Sequence, residues 1–290
     1  MKQKLEDALL AGRALSAGMD AGNVSEPVRS NKRRVILGAG FLLLMGIVWE
    51  GLSIIGWINP VFFSRPSRFL ATLAMLLTNT GPWESSFWAG KFWQHFASSG
   101  GAFLYGWVLA MAIGIPLGVA MGWYEAVRDT LDYFLAALYA TPRIAIIPVL
   151  VLLLGYGPLY KTVVVFIMTL FPILMNTTSG IRNVDNSLVR MARSFGARDL
   201  KIFIAVALPS SVTFIVAGLR QAVAFGLVGV TVGELFASNR GLGYMIVRAA
   251  ETYQTDILYA VVFLLAVLGI LLNGVLLKFE ARFQQWNPRH

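Results

Sequence analysis

Long apolar runs alternate with short polar ones along the whole chain. Crossing a bilayer takes about 20 apolar residues, because a helix rises about 1.5 Å per residue through about 30 Å of hydrocarbon. Six stretches reach or approach that length: about 35–57, with Glu50; 100–122, inside a charge-free run from Phe96 to Tyr124; 133–154, with Arg143; 162–181, uncharged; 212–236, with Arg220 and Glu234; and 257–277, uncharged. In lipid every backbone amide must be paired within its own segment, so each stretch is expected to be a helix. The expected fold class is therefore an all-α membrane protein with six transmembrane helices. Between the fourth and fifth stretches lies a polar loop, 182–211. There Leu188, Met191, Ala192 and Phe195 recur at i, i+3, i+4 and i+7, one face of a helix, and Arg190 and Arg193 fall away from that face. Asn183, Asp185, Asn186 and Ser187 are candidate caps. Gly196 is suited to stop the helix in a left-handed conformation. Asp199 is placed to cap a second short helix, and Leu208–Pro209 to end or kink it. The loop is expected to be a helix–turn–helix knob outside the membrane, basic on one side, that a partner protein grips.

Composition sharpens the class. Of 290 residues, 57% are hydrophobic and only 13% charged, where a soluble domain is nearer a quarter charged; mean hydropathy is +0.68. The net charge of +9 sits between apolar runs rather than on one soluble surface. Anionic membrane lipid is the expected counterpart, and nucleic acid is not. The absence of cysteine removes disulfides, thiolate nucleophiles and Cys-ligated metals, and His95 and His290 alone make no metal site. Residues 1–34 are polar, carry seven Lys or Arg and end in Lys32-Arg33-Arg34, with Leu5, Ala8 and Leu9 hinting at a short amphipathic helix. They are read as a cytoplasmic tail before a retained anchor, the basic cluster coming too late for a signal peptide. With the N-terminus inside, the inner segments 1–34, 123–132, 182–211 and 278–290 carry seven, one, five and three basic residues; the outer segments 58–99, 155–161 and 237–256 carry three, one and two. Sixteen against six favours both termini in the cytoplasm. The knob then lies in the cytoplasm as well.

Several features sit at membrane depth. Gly106, Gly114, Gly118 and Gly122 form a small-residue stripe suited to close helix packing, and equally to sliding. Pro142, Pro148 and Pro158 make the third stretch an irregular helix facing the bundle interior. Arg143 either snorkels to the cytoplasmic side or presents its charge to an anion in the path. Asn176, Thr177, Thr178 and Ser179 either bond to neighbouring helices or line that path. Arg220 requires a partner or water. Arg143, Asn176 and Arg220 are the candidate path residues. Glu234, beside Gly241–Tyr244, is expected to pair with a base or hold the outer loop. In the long outer segment Pro60, Pro66 and Pro82 break the chain, Trp83, Trp88 and Trp93 suit the headgroup level, and Phe69, Leu73, Leu76 and Leu77 suggest a short helix lying on the membrane. His95 is given a capping or interfacial role.

The knob carries a resemblance. Permease subunits of bacterial ABC importers have a cytoplasmic loop with the pattern EAA, three residues, Gly, nine residues, Ile, one residue, Leu-Pro. Ala192, Gly196, Val206, Leu208 and Pro209 fall on it, with Arg190 in place of its Glu and Met191 in place of its first Ala. "ARSFGA", "ALPSS" and "AGLR", with "FFSRPSRFLATL" earlier, most resemble the nitrate/sulfonate/taurine group. The likeness runs over about residues 60–286. It implies a type I importer permease fold with a coupling-helix loop, in the bacterial cytoplasmic (inner) membrane. It implies two copies forming the path, an ATPase dimer docked on the knobs through Arg190, Ala192, Arg193, Ser194, Gly196, Asp199, Leu208 and Pro209, and a periplasmic or lipid-anchored binding protein. The solute implied is small and anionic: nitrate, a sulfonate, taurine or bicarbonate. No G-x-x-x-x-G-K-[S/T] occurs, so ATP and Mg are expected on the partner ATPase, with no cofactor and no enzyme activity on this chain. An ion-coupled carrier is the alternative; it would need midplane acids or broken helices in matched halves, and no internal repeat is seen. A membrane enzyme would need a nucleophile and a base in reach.

Overall fold

A computed structural model describes residues 31–59, 61–78, 80 and 91–284. Pro60, Pro82, Trp83, Trp88, Trp286, His290 and the tail before Asn31 lie outside the described residues. The regular elements among the described residues are helices: α1 (Asn31–Ile55), α2 (Pro66–Thr78), α3 (Phe92–Trp123), α4 (Glu125–Ala140), α5 (Ile147–Leu154) after a 3-10 turn at Arg143–Ile146, α6 (Pro158–Arg182), α7 (Asn186–Ser194), α8 (Asp199–Ile202), a π turn at Phe203–Ala207, α9 (Leu208–Ala237), α10 (Leu242–Glu251) and α11 (Thr255–Gln284). Among the described residues five segments are long and apolar enough to cross a membrane: Ile36–Ile55, α3, α6, Asp199–Ala237 and Thr255–Arg282. The third apolar stretch falls in a bent pair among the described residues, in which α4 meets the Arg143–Leu154 segment at 83°.

The break has a local cause. Pro142 has no amide hydrogen and pushes the residue before it out of the helical region, and Thr141 is accordingly extended (φ −70°, ψ 133°). The third stretch is thus two helices meeting at a corner rather than one irregular helix.

α1 belongs to a unit of its own, residues 1–57. Ile36, Leu37, Phe41, Leu42, Leu43 and Leu44 leave its first half apolar and exposed. Such a helix belongs in lipid rather than water.

Residues 58–290 form the other unit, and α6 is its axis. Over half of its apolar window is buried, 56% against 17% for the last span. The glycine stripe of α3 lies along it. A Cβ at Gly106 would stand 2.6 Å from the Thr162 carbonyl oxygen, and one at Gly118 2.8 Å from that of Leu174. Thr178 Oγ1 donates across the same seam to the Gly118 carbonyl at 3.2 Å. In lipid helices gain nothing from hiding apolar surface from water, so this close backbone approach and its dispersion contacts are what hold the pair. α9 packs on the other side of α6, and there Gly218 and Gly229 leave room for Asn176 and Met168. α2 buries Phe69, Thr72 and Leu76. Its apolar face packs on α11, with the Phe69 ring 6.3 Å from Tyr259 and 5.6 Å from Phe263, and Ser64 donates to Asp256 at 2.5 Å. Protein, rather than the membrane surface, covers the face that Phe69 and Leu76 were expected to lay on lipid.

Candidate functional site

The knob comes directly after α6. Asp185 is its cap, accepting the Ser187 amide hydrogen at 2.7 Å. That bond holds the Asp185 carboxyl below the ordinary range. The cap is therefore in place at neutral pH and weakens only as pH falls through the lowered value. α7 ends at Gly196 with φ +76°. The Gly196 amide bonds to Arg193 O at 2.9 Å and the Ala197 amide to Ala192 O at 3.1 Å, the paired bonds of a Schellman stop that only a left-handed residue allows. Ser194 Oγ donates to Met191 O at 2.8 Å. Asp199 is not a cap: it is the first residue of α8 and accepts from Arg193 Nη2 at 3.3 Å, crossing the turn. The second short helix gives way at Phe203 to a π turn that ends just before Leu208 and Pro209, where the chain resumes as α9, so the irregularity expected near Leu208–Pro209 is a change of pitch rather than a stop. Ile202 and Ala207 are buried, and Phe203 meets Trp123 edge-on at 5.0 Å, so the knob is seated on the end of α3 and is continuous with α9.

The face of α7 that would ordinarily be core is open. Met191 is 57% and Phe195 84% exposed. With Leu188, Val206, Pro209 and Val212 they line a groove of about 500 Å³. Arg190, Arg193 and Arg198 are exposed elsewhere on the knob. α7 is thus an amphipathic helix whose apolar face is left uncovered.

At the opposite end of α6 and α9 lies a closed polar cluster. The carboxylate of Glu234 accepts from Lys161 Nζ at 3.1 Å, from Ser99 Oγ at 2.8 Å and from the Gly243 amide at 2.8 Å. Lys161 also donates to Ser98 Oγ at 3.2 Å and to the Arg240 carbonyl. Ser99 Oγ accepts the Leu242 amide at 2.7 Å, and His95 Nδ1 the Gly241 amide at 2.9 Å, with Tyr244 stacked on the imidazole. Three consecutive amides of the turn at 241–243 are thus taken up by side chains from α3 and α9. A Cβ at Gly241 would overlap the Glu234 carboxylate. Glu234 both pairs with a base and holds the loop, and His95 binds that loop's backbone. Lys161 and Ser99 were missed as partners. The available signal was that Lys161 and Glu234 are opposite charges at the same ends of neighbouring spans.

The candidate path residues separate. Arg220 donates to Asn273 at 2.9 Å and to Glu280 at 3.2 Å, so its charge is met within the protein. Asn176 bonds to its own helix at Pro172 O, 2.8 Å, and to Gln221 Oε1 at 3.1 Å. The Arg143 side chain lies among aromatic rings. Its guanidinium lies over Tyr139, Phe225 and Phe171, with centroids at 5.1, 5.4 and 5.7 Å. Arg143 and Asn176 thus each have partners on or beside α6, whereas Arg220 is tied to α11. No group of three His, Cys, Asp or Glu that could hold a metal occurs among the described residues.

A bundle of long apolar helices with an exposed helical knob between two of them defines a multi-pass membrane protein. Residues 114–285 match the model of the family described as binding-protein-dependent transport system inner membrane component. The chain belongs to that family: it is an inner-membrane permease subunit of an ABC importer of the nitrate/sulfonate/taurine type. It is 31% identical over 255 residues to the taurine transport system permease protein TauC of Escherichia coli K12, covering 88% of this chain and 91% of that one. It is 33% identical over 264 residues to the putative aliphatic sulfonates transport permease protein SsuC of the same organism, covering 89% and 95%. The formylaminopyrimidine transport permease protein ThiX of Halalkalibacterium halodurans is 27% identical over 249 residues, covering 86% and 95%.

Proposed function

We propose that two copies of this permease enclose a path for a small organic anion of the sulfonate class, and that a separate ATPase drives it through the knob at 185–209. The observation that carries this reading is the open apolar face of Leu188, Met191 and Phe195 beside the groove. Apolar surface left in water at the tip of a rigid, capped helix is stable only transiently or under a partner. The direct run from the knob through the π turn into α9 gives the partner's motion a stiff route into the bundle. ATP and Mg then belong to the ATPase, and a binding protein delivers the solute to the opposite face. The distribution of Lys and Arg supports a cytoplasmic knob and termini. The anion class rests on the relatives named for taurine and aliphatic sulfonates.

Met191→Glu tests the docking. It places a charge on the exposed apolar face without touching the core. The expected result is an unchanged melting temperature with loss of ATPase co-purification and of ATP-driven uptake. An ATPase retained at wild-type stoichiometry, with coupled uptake intact, removes the knob from the interface.

A further inference from the structure

Arg143 makes no ion pair and no hydrogen bond to a described residue, and its Nη1 is buried without a partner. Three aromatic faces hold its guanidinium instead. Ring faces attract a cation but offer it neither counter-charge nor lone pair, so they position Arg143 while leaving its charge and its donors uncommitted. The position is deep. Phe171 lies at the middle of α6 and Phe225 just past the middle of α9. A charge at that depth is costly, and it calls for a partner of opposite sign, a backbone carbonyl or water. Lipid phosphates sit half a bilayer away. Arg143 also opens the segment after the 83° break, and irregular backbone is tolerated at such depth only beside protein or a water-lined cavity. The box is not closed: Tyr139 is 50% exposed. The Asn176–Gln221 pair lies about one turn nearer the knob on the same two helices.

We propose that this aromatic-walled guanidinium is a binding station in the path for the anionic head of the solute, a sulfonate or a comparable oxyanion. The planar fork of Arg143 matches two oxygens of such a group, and the rings of Tyr139 and Phe225 shelter its organic part. The proposal rests on the anion-permease reading above.

The experiment uses the full permease–ATPase–binding protein assembly, in phosphatidylcholine nanodiscs for labelling and in proteoliposomes for uptake. Phenylglyoxal labels guanidinium groups, and peptide mass spectrometry reads the labelled fraction at Arg143. Ethanesulfonate is expected to slow labelling at Arg143 roughly threefold or more at a few times its Kd, without changing Arg190 or Arg193; neutral ethyl methyl sulfone is expected to do nothing. Labelling that ignores the sulfonate overturns the site, as does protection by phosphatidylglycerol discs alone. For ethanesulfonate and taurine uptake, Arg143→Met is expected to lose about tenfold or more, while Arg143→Lys, which keeps the charge, retains uptake with a raised KM. Wild-type uptake in the Met variant overturns the proposal. Equal loss in both variants with lowered melting temperatures makes Arg143 a packing residue and overturns it too. Protection at Arg143 without any ATP-driven sulfonate or taurine uptake by the wild type supports the site and removes the sulfonate-importer reading instead.

Discussion

Two ion pairs mark the two ends of the α6–α9 pair, and their distances are nearly equal. Lys161 and Glu234 meet at 3.1 Å with side chains 5% and 0% exposed; Arg193 and Asp199 meet at 3.3 Å with side chains 64% and 75% exposed. The carboxylate of the first is also met by the hydroxyl of Ser99 and the amide of Gly243. The second crosses a turn in open solvent. Nearly identical geometry therefore serves opposite ends. The buried pair fastens a loop to the bundle, because neither charge can be left alone there. The exposed pair can part at little cost, because water supports either charge separately.

The largest effect should come from leaving one buried charge alone. Lys161→Met is expected to destabilise the bundle by about 3–5 kcal/mol, since it strands Glu234 among groups arranged for an anion with a cation beside it. Thermal melting of the purified permease in detergent reads this. Adding Glu234→Leu should recover a good part of the loss, because the stranded charge then goes too. A single variant that melts with the wild type would show that the cluster fastens nothing. Next in size is the helix seam. Gly118→Val asks for space where a Cβ would stand 2.8 Å from Leu174 O and Thr177 Cβ, so α3 and α6 must part. About 1–3 kcal/mol is expected, with a lower melting temperature. No change would mean that α3 slides on α6 at little cost, the other use open to a small-residue stripe.

Much of this arrangement is written locally in the chain. The apolar runs place the long helices because lipid forbids unpaired amides. Asp185 and Gly196 delimit α7 through bonds that span only a few residues, so periodicity and capping rules reach them. Pro142 announced irregularity but not its angle, since proline interrupts a helix without setting the direction of the next one. Pairing across the bundle stayed illegible. Lys161 finds Glu234 73 residues away, and Arg220 finds Glu280, which lies on α11 because that helix continues past the end of its apolar run. Arg143 shows the same limit from the other side. Its sequence neighbourhood suits either an escape to the interface or a buried role, and only the rings of Phe171 and Phe225, brought by two other helices, fix where it points.

The smallest effect should come at the exposed pair, and it is the sharpest check of the comparison. Arg193→Ala removes a solvated ion pair from a helix whose end is already fixed by Gly196 and whose start is fixed by Asp185. Two long side chains held together in water gain little beyond the entropy they lose, so the melting temperature should move by no more than about 0.5 kcal/mol would produce. Its effect, if the knob is the docking surface, belongs to the assembled complex: ATP-driven uptake falls and becomes more sensitive to salt, because a basic rim residue steers association and is screened by ions. A melting shift as large as that of Lys161→Met would mean that the knob is held by its charges rather than by its caps and by the Trp123–Phe203 seat. The two ends would then be built alike, and the open apolar face of α7 would have to be explained as strain rather than as a site kept for a partner.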